Sequence, residues 1–158
     1  MTIPHKPRLQ RLKHVFVRTP LYLITLCTHE RRYVLANETL HEAFRAFCVA
    51  GNTRGLVVGR YVLMPDHVHF FLATAINGPA LSLYIKSLKN SLSKTLRGMS
   101  YPAPHWQKGF FDHVMRSADS FSQKWDYVRA NPVRAGLVAQ PDEWPDQGVL
   151  QDLSFRRS

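Results

Sequence analysis

The sequence predicts an α+β protein with a ferredoxin-like split βαβ fold, in which an antiparallel sheet carries helices on one face. Apolar residues recur in the order strand, helix, strand, strand, helix, strand, helix, and a tight turn at Pro65-Asp66 joins the two adjacent strands into a hairpin. A length of 158 residues, 45% of them hydrophobic, suits one domain with short tails. No internal repeat or low-complexity segment interrupts this pattern.

The strands and helices follow from local patterns, taken in chain order. Four runs rich in β-forming residues and bounded by turn residues are predicted as strands: residues 21–28, 56–64, 68–74 and 110–116. Asn37 is a suitable N-cap for the first helix, and Asn77-Gly78-Pro79 opens a second helix with leucines at helical spacing. Ser117 caps a third helix, which ends near Ala130 because Pro132 disfavours helical backbone at the residue before it.

Charge is distributed unevenly along the chain. The sequence has 21 Lys and Arg against 11 Asp and Glu, a net charge of +10, and residues 1–29 and 67–111 contain no acidic residue. A positive field of this kind concentrates polyanions, of which nucleic acid is the commonest. A merely soluble basic protein is the alternative. Composition divides the chain into a basic N-terminal arm (1–14), a folded domain (15–138) and a C-terminal tail (139–158).

Membrane, secreted and disulfide-linked classes do not fit the sequence. The longest apolar runs fall short of about 20 residues, and the basic N-terminal segment lacks the uninterrupted apolar core of a secretory signal. Cys27 and Cys48 lie inside apolar segments without a C-x-x-C spacing. We therefore expect a cytoplasmic protein that has no membrane partner.

His67-Val68-His69, near the start of the third predicted strand, is the sharpest chemical feature of the sequence. Alternation along a strand points the two imidazoles to the same side, about 6.5–7 Å apart, while Val68 faces the core. Two imidazoles on one polar face can bind the same divalent ion. An isolated His-x-His is also common on ordinary half-buried strands, so the flanking sequence matters.

Two longer segments resemble a known family. Residues 61–72 (YVLMPDHVHFFL) are similar to the HUH signature, two histidines around a bulky hydrophobic residue, of single-tyrosine transposases and their REP-associated relatives. Residues 127–138 (YVRANPVRAGLV) resemble the nucleophile helix of that family and its exit, and shorter similarities lie at residues 28–32 and 106–113. Asp66 departs from the pattern, since many relatives have Asn there, and it adds a negative charge beside the histidines.

The resemblance implies a mechanism and a set of site residues. Such enzymes cleave single-stranded, hairpin-containing DNA by attack of a tyrosine on a phosphodiester, which leaves a 5′-phosphotyrosine, and Tyr127 is the matching nucleophile. His67, His69 and Asn131 match the ligands of a divalent metal, Mg²⁺ or Mn²⁺. Local backbone chemistry before Pro132 would also explain Asn131. The helical pattern agrees with the assignment, because Tyr127 lies off the apolar stripe on which a core tyrosine would sit.

The remaining candidates concern DNA contacts and rival functions. Basic residues of the arm and of the second helix could contact phosphates or could simply be solvated: Arg8, Arg11, Lys13, Lys86 and Lys89. His113 could lie beside the metal ligands or be structural. Two other functions stay open, a non-catalytic nucleic-acid-binding module on the same fold and a metal-dependent hydrolase without a covalent intermediate. The resemblance is compatible with a monomer and with a homodimer.

Overall fold

The computed structural model describes residues 21–51, 55–74 and 80–153, in which five strands form one antiparallel sheet. The strands are β1 (Leu21–Cys27), β2 (Leu56–Leu63), β3 (His67–Thr74), β4 (Phe111–Met115) and β5 (Gln147–Val149). Their order across the sheet is β4-β1-β3-β2-β5, so β1, β3 and β2 are interior strands while β4 and β5 form the edges. The first four strands have the arrangement of the predicted split βαβ fold, which is confirmed.

The helices of the described residues are α1 (Glu38–Gly51), α2 (Leu81–Gly98), α3 (Ala118–Arg129) and the short α4 (Asn131–Arg134). Both predicted caps on described residues are in place. Asn37 Oδ1 accepts from Leu40 N at 2.9 Å, and Ser117 Oγ accepts from Ser120 N at 3.1 Å. Within these described ranges, no helix has the length and apolar character that crossing a membrane requires.

Helices α1 and α2 pack on one face of the sheet and bury the main core. This core takes the even-numbered side chains of β3, which are fully buried: Val68, Phe70 and Leu72. Phe44 of α1 packs with its ring centroid 5.6 Å from that of Phe70, and Leu88 of α2 is equally buried. Alternation along β3 therefore places the odd-numbered residues, including both histidines, on the opposite face.

Helix α3 departs from the expectation that the helices lie on one face, because it packs on the opposite one. Phe121 and Trp125 lie against Phe71, with ring centroids 4.9 and 6.2 Å from it. Val128, further along α3, is fully buried in an adjoining apolar cluster. The physical reason is that β3 is apolar on both sides from Phe70 to Ala73, so its second face also needs a cover.

The segment after Val138 is packed on the domain. β5 pairs antiparallel with β2, and Trp144 Nε1 donates to Leu63 O at 3.0 Å. Leu153 is buried in the same apolar cluster as Val57 of β2. The predicted tail is thus part of the fold as far as residue 153, because its apolar side chains cover the β2 side of the sheet.

Candidate active site

His67 and His69 project from β3 to the face that carries α3, and their rings are neighbours. The ring centroids lie 4.7 Å apart and the ring planes meet at 82°. Both residues are half-buried. The two-residue repeat of the strand therefore brings the imidazoles close enough to bind one common ion.

The Nδ1 atom of each ring is held by a neighbouring side chain. His67 Nδ1 donates to Asp66 Oδ1 at 2.7 Å, and His69 Nδ1 is hydrogen-bonded to Thr25 Oγ1 at 2.8 Å. Thr25 comes from β1, where it lies directly opposite His69. These bonds occupy Nδ1 and orient the rings so that Nε2 of each ring is the nitrogen left for another partner, which is the arrangement of histidine ligands in metal sites.

Asp66 is itself held by an arginine from the turn after β1. Arg31 Nε donates to Asp66 Oδ2 at 2.8 Å. Burial raises the pKa of Asp66, but hydrogen bonds from His67 and Arg31 outweigh burial, so the pKa lies below its ordinary value. Glu30 and Arg31 adopt left-handed backbone, with φ of 53° and 54°, which turns the chain sharply after β1. The extra negative charge beside the histidines is therefore paired.

Asn131 contacts His67 directly. Its Nδ2 donates to His67 Nε2 at 3.0 Å, so the structure brings the third predicted ligand against the first. The chain reaches this position because α3 ends at Arg129 and α4 begins at Asn131, with Ala130 between them at φ −82° and ψ −3°. A rotation of the amide exchanges its nitrogen and oxygen, so Oδ1 can face a cation in the same place.

Tyr127 lies four residues before Asn131 and is 61% exposed. Arg134 stacks on its ring, with the guanidinium carbon 3.8 Å from the ring centroid, and Arg134 Nη1 donates to Tyr127 O at 2.7 Å. Arg134 is also one of the positive charges that lower the pKa of His69. Arg134 therefore contacts the Tyr127 ring and also adds to the positive potential at His69.

Burial favours the neutral form of both histidines. Burial lowers the pKa of His69 to about 3, and positive charge on a protonated His67 or on Arg134 lowers that pKa further. Burial also lowers the pKa of His67, although Asp66 acts in the opposite direction. Neutral imidazole is the form that binds metal ions, so the fold keeps both rings in that form.

The donor set fits a divalent cation whose remaining ligands are oxygens from outside the protein. Among the residues that the structure describes, no three His, Cys, Asp or Glu side chains lie close enough to hold a metal ion together. His67 and His69 offer two imidazole nitrogens, and Asn131 offers one amide. Mn²⁺ tolerates such nitrogen ligands better than Mg²⁺, and phosphate oxygens or water can complete either shell.

The predicted basic residues of α2 lie on the other side of the sheet from the histidines. Lys89 Nζ donates to Gln107 O at 2.9 Å and to Gly109 O, so it fastens the loop before β4. Lys86 lines a cleft of about 410 Å³ between α2 and that loop. Lys89 thus has a structural contact that its position off the leucine stripe of the helix did not suggest. A phosphate contact of Lys86 stays a prediction.

His113 is exposed on the same face of the sheet as the histidine pair. It lies on β4 opposite Leu23 of β1, which in turn pairs with Phe71, two residues along β3 from His69. A role beside the metal ligands stays a prediction. The predicted DNA-binding residues of the arm lie outside the described residues: Arg8, Arg11 and Lys13.

Three contributors to this site were missed at the level of sequence: Thr25, Arg31 and Arg134. Thr25 meets His69 only through the register of β1 and β3, which no local pattern reveals. Arg31 and Arg134 lie within residues 28–32 and 127–138, so the family resemblance of those segments was the available signal.

Comparison with known sequences gives a consistent result. A family model described as Transposase IS200 like matches residues 17–131. A REP-associated tyrosine transposase of Escherichia coli is 20% identical over 142 residues, covering 90% of this chain and 84% of that protein. A Haemophilus influenzae protein, provisionally named as a REP-associated tyrosine transposase, is 22% identical over 148 residues, covering 87% of this chain and 84% of that protein.

The fold is also similar to that of a solved structure. A REP-associated tyrosine transposase bound to a REP hairpin matches with a TM-score of 0.69 and 22% sequence identity. The match covers 81% of this chain and 75% of that chain. At this level of identity the match shows a shared fold.

Proposed function

The chain belongs to the IS200-like transposase family, and from that membership we propose that it cleaves and rejoins single-stranded, hairpin-forming DNA with Tyr127 as the nucleophile. One observation carries the proposal. Asn131, four residues after Tyr127, donates to His67 Nε2 at 3.0 Å, and the ring of His69 lies 4.7 Å from that of His67. The nucleophile helix and the histidine pair therefore meet within a single chain, so the proposal does not require a dimer.

In the proposed reaction, the Tyr127 phenol oxygen attacks a DNA phosphorus and the bond from that phosphorus to the 3′-oxygen breaks. The products are a 5′-phosphotyrosine and a free 3′-OH, and the phenol loses one proton while the 3′-oxygen gains one. One phosphodiester replaces another, so no water or nucleotide cofactor is consumed. Attack by a 3′-OH on the phosphotyrosine rejoins the DNA by the reverse step.

Arg134 is suited to assist this attack. Its guanidinium lies over the Tyr127 ring and contributes to the positive potential at His69. A fixed positive charge at this position attracts a phosphate and offsets negative charge that develops on the phenol oxygen. The bond from Nη1 to Tyr127 O ties this charge to the helix that carries the nucleophile.

His67, His69 and Asn131 are the proposed ligands of Mg²⁺ or Mn²⁺. The metal, when bound, would supply positive charge against the oxygens of the scissile phosphate. Asp66 and Thr25 hold the two rings in orientation through Nδ1, and burial keeps the rings neutral. Mn²⁺ matches two nitrogen ligands better than Mg²⁺ does.

Hairpin DNA is the proposed substrate for two reasons. The chain has a net charge of +10, and a transposase with the same fold has been solved with a REP hairpin. Phosphate contacts that position the strand are proposed for the basic residues of the arm and for one lysine of α2: Arg8, Arg11, Lys13 and Lys86. Lys89 is left out because its ammonium already binds backbone carbonyls.

The test of this function is a covalent protein–DNA adduct. Purified protein is incubated with hairpin-bearing single strands and Mn²⁺ or Mg²⁺, and the products are separated under denaturing conditions. We expect an adduct with the wild type and none with Tyr127→Phe, whose DNA binding should change little because only the phenol oxygen is removed. Tyr33→Phe is the matched control, since Tyr33 is an exposed tyrosine as well, at 77%.

Three results would contradict the proposal. An adduct that persists in Tyr127→Phe would remove Tyr127 from the role of nucleophile. Salt-sensitive binding with no cleavage in either metal would indicate a binding module. Cut products without any adduct would indicate a hydrolase that uses water.

A further inference from the structure

Helix α3 covers only part of the sheet face that carries the histidine pair. Its apolar side chains pack on β2, on β3, on the adjoining residues of β1 and on Met115 at the end of β4. Beyond that cover, Phe111 and His113 of β4 are exposed, Phe111 by 67%. Within the described part of the chain, a strip of the sheet from the histidines to the β4 edge is therefore left without a covering helix.

Phe111 stands in line with His69 across this strip. The β1–β4 register pairs Phe111 with Thr25, and the β1–β3 register pairs Thr25 with His69. Cross-strand partners project to the same face and neighbouring strands are about 4.8 Å apart, so the backbone of Phe111 lies roughly 10 Å from that of His69. Thr25, between them, is hydrogen-bonded to His69 at 2.8 Å.

Packing does not explain why an aromatic residue stands at this position. Phe110, just before it, packs against the main core on the α2 side of the sheet. Met115, at the far end of β4, is buried in the cluster under α3. Among the residues that the structure describes, Phe111 belongs to neither cluster, although it is as large and as apolar as their members.

We propose that Phe111 is a stacking platform for one base of the single-stranded DNA whose phosphate lies at the histidine pair. This inference rests on the proposed function and adds to it a base-binding position beside the scissile phosphate. Aromatic rings bind single strands in this way because every base has an apolar face, and the contact tolerates different sequences.

The alternative to DNA on this strip is a second copy of this chain, because β4 is an edge strand of the sheet. The charge around the strip favours DNA. Lys108 and Arg116 flank β4 and are exposed, whereas Asp112 projects to the α2 side, in register with the buried Ile24. Two copies meeting at this edge would bring like charges together, while a DNA strand would neutralise them.

The experiment uses hairpin-bearing strands with 2-aminopurine, a fluorescent base that stacking quenches, at successive positions around the cleavage site. EDTA prevents cleavage during the titration. We expect one position at which the wild type and Phe111→Tyr quench the fluorescence and Phe111→Ala does not. The affinity of Phe111→Ala for this DNA should fall about 5- to 150-fold, which is the range for losing one base–aromatic stack. Leu83→Ala, which removes a 61% exposed apolar side chain from α2, should bind as the wild type does.

Two results would overturn the inference. One is equal affinity and equal quenching in the wild type and Phe111→Ala at every position. The other is that Phe111→Ala changes the oligomeric state, measured by light scattering, while the quenching stays as in the wild type. That result would mean that the Phe111 ring contacts a second copy of this chain and not a base. Circular dichroism checks the fold, and Phe111→Leu, which is apolar without an aromatic face, gives the same comparison if the alanine variant unfolds.

The covalent-adduct assay tests the role of Tyr127 separately from the stacking role of Phe111. Quenching that depends on Phe111 in a protein that forms no adduct would contradict the role of Tyr127 and support the stacking platform. A normal adduct with quenching that is independent of Phe111 would support the role of Tyr127 and contradict the platform.

Discussion

The carboxylate of Asp66 connects the histidine pair to the rest of the fold. Its two oxygens accept from His67 Nδ1 at 2.7 Å and from Arg31 Nε at 2.8 Å. Its backbone oxygen accepts from Thr28 N at 3.0 Å and from Thr28 Oγ1 at 3.1 Å. Because both ends of Asp66 are held, the imidazole of His67 has a fixed support behind Nδ1.

We expect Asp66→Ala to weaken Mn²⁺ binding on the order of 10- to 100-fold, the usual effect of removing the group behind a histidine ligand. Asp66→Asn should weaken it less, because an amide oxygen can still accept from Nδ1 although the charge is lost. Calorimetric titration of metal-free protein with MnCl₂ measures both variants. Asp112→Ala is the control, since that exposed carboxylate lies on β4 and projects to the α2 side. Unchanged Mn²⁺ affinity in Asp66→Ala would count against His67 as a ligand.

Helix α3 aligns the nucleophile with the histidines through its buried side. Phe121 and Trp125 pack on Phe71, whereas Tyr127 lies on the exposed side of the same helix. The helix then ends, and the next turn brings Asn131 to His67. The position of the phenol relative to the proposed metal site therefore depends on apolar contacts made two and six residues earlier in the same helix.

Phe121→Ala should lower the free energy of unfolding by about 3 kcal/mol, because it removes a buried ring and leaves a cavity beside Phe71. The substitution should also slow adduct formation at a temperature where the variant is folded, because α3, which carries Tyr127, loses one of its contacts with the sheet. Urea unfolding and a single-turnover adduct assay measure the two effects. Val149→Ala, at an exposed position of β5, is the control. Wild-type stability in Phe121→Ala would be incompatible with the packing of α3 on this face.

The chain from residue 139 to residue 153 adds the edge strand β5 to the sheet and contributes apolar side chains that pack on it. β5 pairs with β2, and Trp144 packs in the cluster of Val62, Met64 and Val128 while it donates to Leu63 O. Gly148 of β5 approaches the ring of Tyr61 so closely that a Cβ would lie 2.6 Å from the phenol oxygen. The contacts of Trp144 and Gly148 therefore pack this segment against specific core residues.

We expect Trp144→Ala to lower the free energy of unfolding by about 3 kcal/mol, because a packed indole and its hydrogen bond are lost. Deletion of residues 140–158 should destabilise the protein further, since β5 is removed as well. Urea denaturation followed by far-UV circular dichroism measures both. Leu137→Ala, which truncates a 45% exposed side chain, is the control. A truncated chain as stable as the full one would mean that this segment is a separable tail.

Local patterns in the sequence predicted the first four strands, the three longer helices and the faces that their side chains share, but neither α4 nor β5. His67 and His69 lie together because a strand repeats every two residues, and Tyr127 lies off the apolar stripe because a helix repeats every 3.6 residues. The caps at Asn37 and Ser117 were placed correctly for the same reason, since a cap depends on the next three residues.

The partners of these residues follow from packing that no local pattern contains. Thr25 and His69 are 44 residues apart in sequence, and Phe111 joins them only through the register of two strand pairs. The side of the sheet that α3 covers depends on how much apolar surface remains around Phe71 once α1 and α2 are in place. Backbone geometry over a few residues sets the local repeats, whereas burial across the assembled sheet sets register and helix placement.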